Sequence, residues 1–142
     1  MSSRTRELPN PYDHFGGVPS SDMHFEPAAV NVICSDLERS VRFYRDVLGF
    51  RAGERGERFA HLHAGDRTFT LLAFAQPRPE PWTYCTQPEI SVDLICDDVD
   101  AAVARFRAND IVFVGPYEPG SGRVFIRDPD GLVLEVVQRG AF

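Results

Sequence analysis

The stretches "AVNVICSDLERSVRFYRDVLGF", Ala29 to Phe50, and "SVDLICDDVDAAVARFRANDI", Ser91 to Ile111, are two copies of one pattern. A constant offset of 62 residues aligns Val30 with Val92, Val32 with Leu94, Ile33 with Ile95, Cys34 with Cys96 and Asp36 with Asp98. Self-similarity at a fixed spacing marks a chain built from repeated supersecondary units. Each copy opens with an apolar run that predicts a strand, passes an acidic turn and continues with helical spacing. In the first helix Leu37, Val41, Tyr44 and Leu48 draw one apolar stripe. Ser35 and Glu38 match an S-x-x-E capping box, and Gly49 supplies a stop. The second helix is expected from near Asp97 to about Asn109, with Val99, Val103 and Phe106 on its inner face.

Strands are expected after each helix. In the first half they fall at about 50–54, in "RFAHLHAG" and in "RTFTLLAF"; in the second they are "IVFVGPY", "GRVFIRD" and "GLVLEVVQ". Each half thus reads βαβββ, an α+β chain of two tandem modules. Module one spans about 28–74 and module two 90–138, within one domain of 28–138. Between them, 75–89 is proline-rich and reads as a linker. Residues 1–27 read as an irregular arm carrying Tyr12, Phe15, Met23 and Phe25, and 139–142 as a tail.

The bulk properties narrow the function classes. The chain has 142 residues, 43% of them apolar and 25% charged, which suits one soluble globule. No apolar run approaches the roughly 18 residues of a membrane span. The N-terminus lacks the apolar core of a secretory signal, so a cytoplasmic location is expected. A net charge of -6 argues against nucleic acid and tolerates a cationic ligand. All fifteen basic residues are arginine, as codon bias in a GC-rich bacterium would give. Cys34, Cys85 and Cys96 are odd in number and widely spaced, so neither a disulfide framework nor a zinc knuckle is expected.

"SDLERSVRFYRDVLGF" and "GRVFIRDPDGLVLEVVQ" resemble the two signatures of the vicinal-oxygen-chelate superfamily, the glyoxalase, bleomycin-resistance and extradiol-dioxygenase group. The resemblance covers about 28–138. It implies a half-open barrel of two βαβββ modules around a ligand cleft, and commonly a homodimer. Fold alone does not fix function here, since members include enzymes and metal-free drug binders.

Strand alternation assigns faces. Val30, Val32, Cys34, Val92, Leu94 and Cys96 are expected in the core, with Ala60, Leu62, Phe69, Leu71, Val124, Ile126, Leu134 and Val136. Asn31, Phe59, His61, His63, Thr70, Ser91, Asp93, Arg123, Phe125 and Glu135 are left for the cleft. The resemblance puts the four metal-ligand positions of metal-dependent members on Ala29, Thr70, Ser91 and Glu135. Alanine has no donor atom, and neutral hydroxyls compete poorly for first-row metals beside imidazole or carboxylate. Catalytic sites usually need three protein ligands. No metal and no cofactor are therefore expected. A displaced site at His61, His63 and Glu135 is the alternative.

The reading preferred on these grounds is a metal-free binding protein of the bleomycin-resistance type. Its ligand is a small molecule such as an antibiotic or other natural product. Phe59, Phe125 and the linker's Trp82 and Tyr84 supply aromatic walls. The other reading is a metal-independent isomerase or lyase, with Glu135 as general acid or base and His61 as its partner. No nucleophile motif such as G-x-S-x-G is present.

Overall fold

In the computed structural model, which describes residues 8–14, 24–80 and 82–141, the apolar alternation opening each repeat becomes a short strand. β1 (Val30–Ile33) leads into α1 (Leu37–Arg42), whose end widens into a π-turn over Phe43–Val47. β2 (Arg51–Arg55), β3 (Phe59–Ala64) and β4 (Arg67–Leu72) follow as antiparallel neighbours. β1 lies parallel beside β4, giving the order β1-β4-β3-β2. The second repeat supplies β5 (Val92–Cys96), α2 (Val99–Ala108), β6 (Arg123–Arg127) and β7 (Val133–Gln138), in the order β5-β7-β6. The described residues thus form an α+β fold of seven strands in two sheets with two helices, not closed into a barrel. None of the described helices is long and apolar enough to cross a membrane.

One expected strand is missing. In "IVFVGPY" only Phe113 forms a bridge, to Ile126, flanked by two backbone hydrogen bonds: Val114 to Phe125 and Arg127 to Val112, each 2.9 Å. The cause is local. Gly115 takes φ +76°, outside strand geometry, and Pro116 has no N–H to donate.

The expected capping box is also replaced. Asp36 starts α1 from an extended backbone, its carboxylate accepting the Arg39 N–H at 3.0 Å. Asp98 does the same for Ala101 in α2, as the repeat requires. Glu38 turns away to Arg55, 2.5 Å distant. Ser35 is drawn off by the other module: its N–H donates to Asp130 Oδ2 at 3.1 Å and its hydroxyl is bonded to Asp130 Oδ1.

Most of the expected core face is buried as one cluster under both helices, whereas Val30, Val92, Leu94 and Cys96, on the edge strands β1 and β5, are only partly buried against it. Val32, Leu62, Phe69 and Leu71 meet Val41 and Tyr44, while Ile126, Leu134 and Val136 meet Val99, Val103 and Phe106 in the same cluster. The fully buried Tyr44 ring lies 5.0–6.1 Å from Phe43, Phe50 and Phe69, edge-on or tilted as aromatic quadrupoles prefer. Of the arm, Pro11–His14 forms one 3-10 turn, and Tyr12 and Phe25 are exposed. Phe15 and Met23 lie outside the described residues.

The two modules are tied at the "DPDG" turn between β6 and β7. Asp128 is buried and keeps three hydrogen bonds: from the Asp130 and Leu132 N–H groups at 2.9 Å each, and from the Tyr44 hydroxyl at 2.8 Å. Burial raises its pKa, against the pull of those three donors. Tyr44→Phe removes one donor and leaves a buried carboxylate oxygen without a partner. It should lower stability at neutral pH by about 1–3 kcal/mol, read as an earlier urea midpoint. The deficit should shrink on acidification, because protonating Asp128 removes the charge that the hydroxyl served.

Candidate functional site

The strand registers place the cleft residues in two rungs, one per sheet. In sheet one Asn31 lies opposite Thr70, and Thr70 opposite His61. In sheet two Asp93 lies opposite Glu135, and Glu135 opposite Phe125. The rungs correspond through the repeat, yet their chemistry differs. The first is polar and holds no carboxylate. The second joins two carboxylates to an aromatic ring.

The first rung satisfies itself. His61 Nδ1 and Thr70 Oγ1 share a hydrogen bond of 2.9 Å, and the Phe59 ring lies tilted with its centre 5.3 Å from that of His61. One step along, His63 Nδ1 and Thr68 Oγ1 are 3.3 Å apart. Thr70 is buried, and Asn31 is exposed at the strand edge.

The second rung does not. The Glu135 side chain is 13% exposed and Arg123 Nη2 lies 2.9 Å from Oε1. The guanidinium is off-line for a hydrogen bond, so Oε1 is buried without a hydrogen-bond partner. Burial is the main cause raising the Glu135 pKa. The facing Asp93 raises it further, and Arg123 opposes both. A buried acceptor without a donor carries a free-energy cost that a ligand donor would relieve.

The linker folds over this same sheet. The Tyr84 ring sits 5.9 Å from Phe125, and its hydroxyl is 3.1 Å from Ser91 Oγ. Arg127 anchors the strap by donating to the Trp82 carbonyl and the Gly131 carbonyl, 2.7 Å each. The Trp82 ring is held between Arg78 and Arg127, whose guanidinium carbons lie 4.1 and 5.1 Å from its centre. Gly131 takes φ +91° at this contact, and a Cβ there would stand 3.2 Å from the Trp82 ring. Glu89 ties the strap to itself, accepting from Trp82 Nε1 and from the Cys85 N–H. Val133 and Val137 flank Glu135 on this face and are buried, so the rung is not an open surface.

The donor set does not fit a metal. Ala29 has no donor, the Thr70 hydroxyl is bonded to His61, and the Ser91 hydroxyl is bonded to Tyr84. Glu135 is the one anion of the four positions. The alternative at His61, His63 and Glu135 is not assembled either. Among the described residues no three His, Cys, Asp or Glu side chains gather to hold an ion. The histidines belong to sheet one and bond to threonines, whereas Glu135 belongs to sheet two. His61 and Glu135 share no hydrogen bond or ion pair among the described residues.

Alternation assigns the residues of both rungs to the cleft face, but the Arg127 anchor and the Oε1 without a hydrogen bond depend on where the linker and one guanidinium settle. A cavity of about 790 Å³ runs between β1 and the linker past Asn31, Ile33, Trp82 and Ile90.

The chain pairs a βαβββ module with a βαββ copy of it and carries a carboxylate on its last strand. The sequence profile of the Glyoxalase/Bleomycin resistance protein/Dioxygenase superfamily matches residues 24–136, and the chain belongs to that superfamily. A glyoxalase/dioxygenase from Nostoc punctiforme superposes with a TM-score of 0.66 at 20% identity, over 82% of this chain and 97% of that one. Lactoylglutathione lyase from Agrobacterium tumefaciens gives 0.60 at 22% identity, over 82% and 97%. The trypanothione-dependent glyoxalase I of Leishmania major gives 0.59 at 23%, over 81% and 87%. At these identities the likeness concerns the fold. No curated protein sequence matches the chain closely enough to count as a relative.

A pH prediction follows from Glu135. Its folded-state pKa is raised above the ordinary 4.5, so the folded chain holds this proton more tightly than the unfolded chain does. That stabilisation is full below the ordinary value and is lost as the pH rises through the folded one. Glu135→Gln keeps the shape without the charge. Its stability relative to wild type should therefore increase between about pH 4 and about pH 7 in paired urea titrations. A constant difference would contradict the burial argument.

Proposed function

We propose that this chain binds a small organic ligand on the Glu135 face and does so without a metal. The observation that carries the reading is the buried Glu135 Oε1, which lacks a hydrogen-bond donor and stands on a rung beside Phe125 and the overlying Tyr84. A ligand N–H or O–H, neutral or cationic, supplies the missing donor. Its planar portion stacks on the aromatic pair. Antibiotics and other natural products with amine or phenol groups belong to this class. The Phe59–His61–Thr70 face offers a complementary polar wall, and a homodimer that sets one chain's first module against the other's second would complete the cleft.

A second reading rests on the raised Glu135 pKa. A carboxyl whose proton is held more tightly than usual by burial is suited to general acid–base work, as in an isomerase or lyase that needs no metal. The two readings part on whether the bound molecule is returned unchanged.

Native mass spectrometry of freshly purified protein tests both. The expected spectrum shows twice the 15.9 kDa chain mass, with any retained small molecule surviving chelator treatment. For a ligand found in this way, Phe125→Ala should weaken binding about tenfold, from the lost stacking. Loss of binding on chelation would refute the metal-free reading. Chemical conversion of the ligand, abolished by Glu135→Gln, would replace the binder with the enzyme.

A further inference from the structure

We infer that the groove at the junction of the two modules, of whose lining Glu135 is no part, is a second ligand site for an amphipathic anion. The groove holds about 900 Å³, within the range of small-molecule sites. Its walls combine the partly buried Val30, Val92 and Leu94, on the edge strands of the two modules, with the rims of the buried Phe69, Phe106 and Val136. These strands pair only within their own sheets, and β1 and β5 are each an edge strand. The apolar wall is therefore continuous across the junction but has no protein lid among the described residues.

Charge picks the occupant. The chain carries -6 overall, yet four of its fifteen arginines, Arg51, Arg67, Arg105 and Arg139, line this groove. All four are exposed. Two carboxylates, Asp66 and Asp93, line it with them, and His63 is the remaining titratable side chain apart from the Cys96 thiol. Asp66 approaches Arg67 only to 3.9 Å, and Asp93 lies on the rung of Glu135. Arg139 is paired with Asp97 at 2.8 Å, while Arg105 makes one long bond of 3.4 Å to the Val47 carbonyl. Arg51 has neither hydrogen-bond nor ion-pair partner through its side chain among the described residues. Guanidinium groups at the edge of an apolar trough suit a carboxylate, sulfate or phosphate head on an apolar tail. Four guanidinium groups against two carboxylates favour an anionic head over a cationic or neutral one. The tail would gain about 0.8 kcal/mol per methylene buried, so affinity should climb with chain length.

The test uses decanoate, decan-1-ol and decyltrimethylammonium, titrated calorimetrically into the full chain. Decanoate should bind at one site per chain, at least about tenfold more tightly than the other two. The surface variant Arg51→Gln/Arg105→Gln should lose that preference while keeping the wild-type melting temperature. Glu135→Gln should leave decanoate binding unchanged, which separates this site from the cleft. Equal affinity for all three probes, an unaffected arginine variant, or no decanoate binding would each overturn the inference. So would a dimer, seen by light scattering, that the arginine variant dissociates, because the groove would then be covered by a second copy.

Discussion

The arrangement of the whole molecule depends on the attachment of one hairpin turn to one helix start. Asp128 and Asp130 in module two reach across to Tyr44, Ser35 and Arg39 in module one. The Asp128 bond lies in the core, where a carboxylate is tolerated only because three donors meet it. Geometry follows from that demand. The turn must sit where the Tyr44 hydroxyl emerges, and β7 must run from that turn. Glu135 is carried to its place on the opposite face by the same strand that this bond fixes.

Duplication explains why the two faces resemble each other, and divergence explains why they differ. Each sheet presents one rung of three facing residues. Thr70 and His61 share a hydrogen bond, whereas Glu135 keeps an oxygen without a hydrogen-bond donor beside an aromatic pair. The Thr70 and Ser91 hydroxyls are each taken up in an internal hydrogen-bond pair, with His61 and with Tyr84. The fold is thereby shared with glyoxalases while the chemistry of the cleft is this chain's own. The linker adds a covering that depends on Arg127, with its guanidinium bonded to two carbonyls and its charge against Trp82.

Periodicity made most of the fold legible. The offset of 62 residues gave both modules, and alternation separated the core side of β3, β4, β6 and β7 from the cleft side without a register error. Errors arose where one residue's fate depended on a distant one. Ser35 read as a helix cap because its competitor, Asp130, lies 95 residues away. "IVFVGPY" read as a strand because its composition is apolar, but the Gly115 backbone and Pro116 decide otherwise. The candidate site was visible as a set of residue types. Its division into two rungs on separate sheets, and the misaligned Arg123, are properties of three-dimensional placement that no spacing records.

The claim at the centre of this account is that Glu135 works without a metal. The most direct measurement is elemental analysis by inductively coupled plasma mass spectrometry on untagged protein, after exposure to zinc, nickel, iron and manganese and removal of the excess. The account predicts substoichiometric metal for every ion, the same in wild type and Glu135→Gln. One tightly held ion per chain, lost in Glu135→Gln, would contradict it.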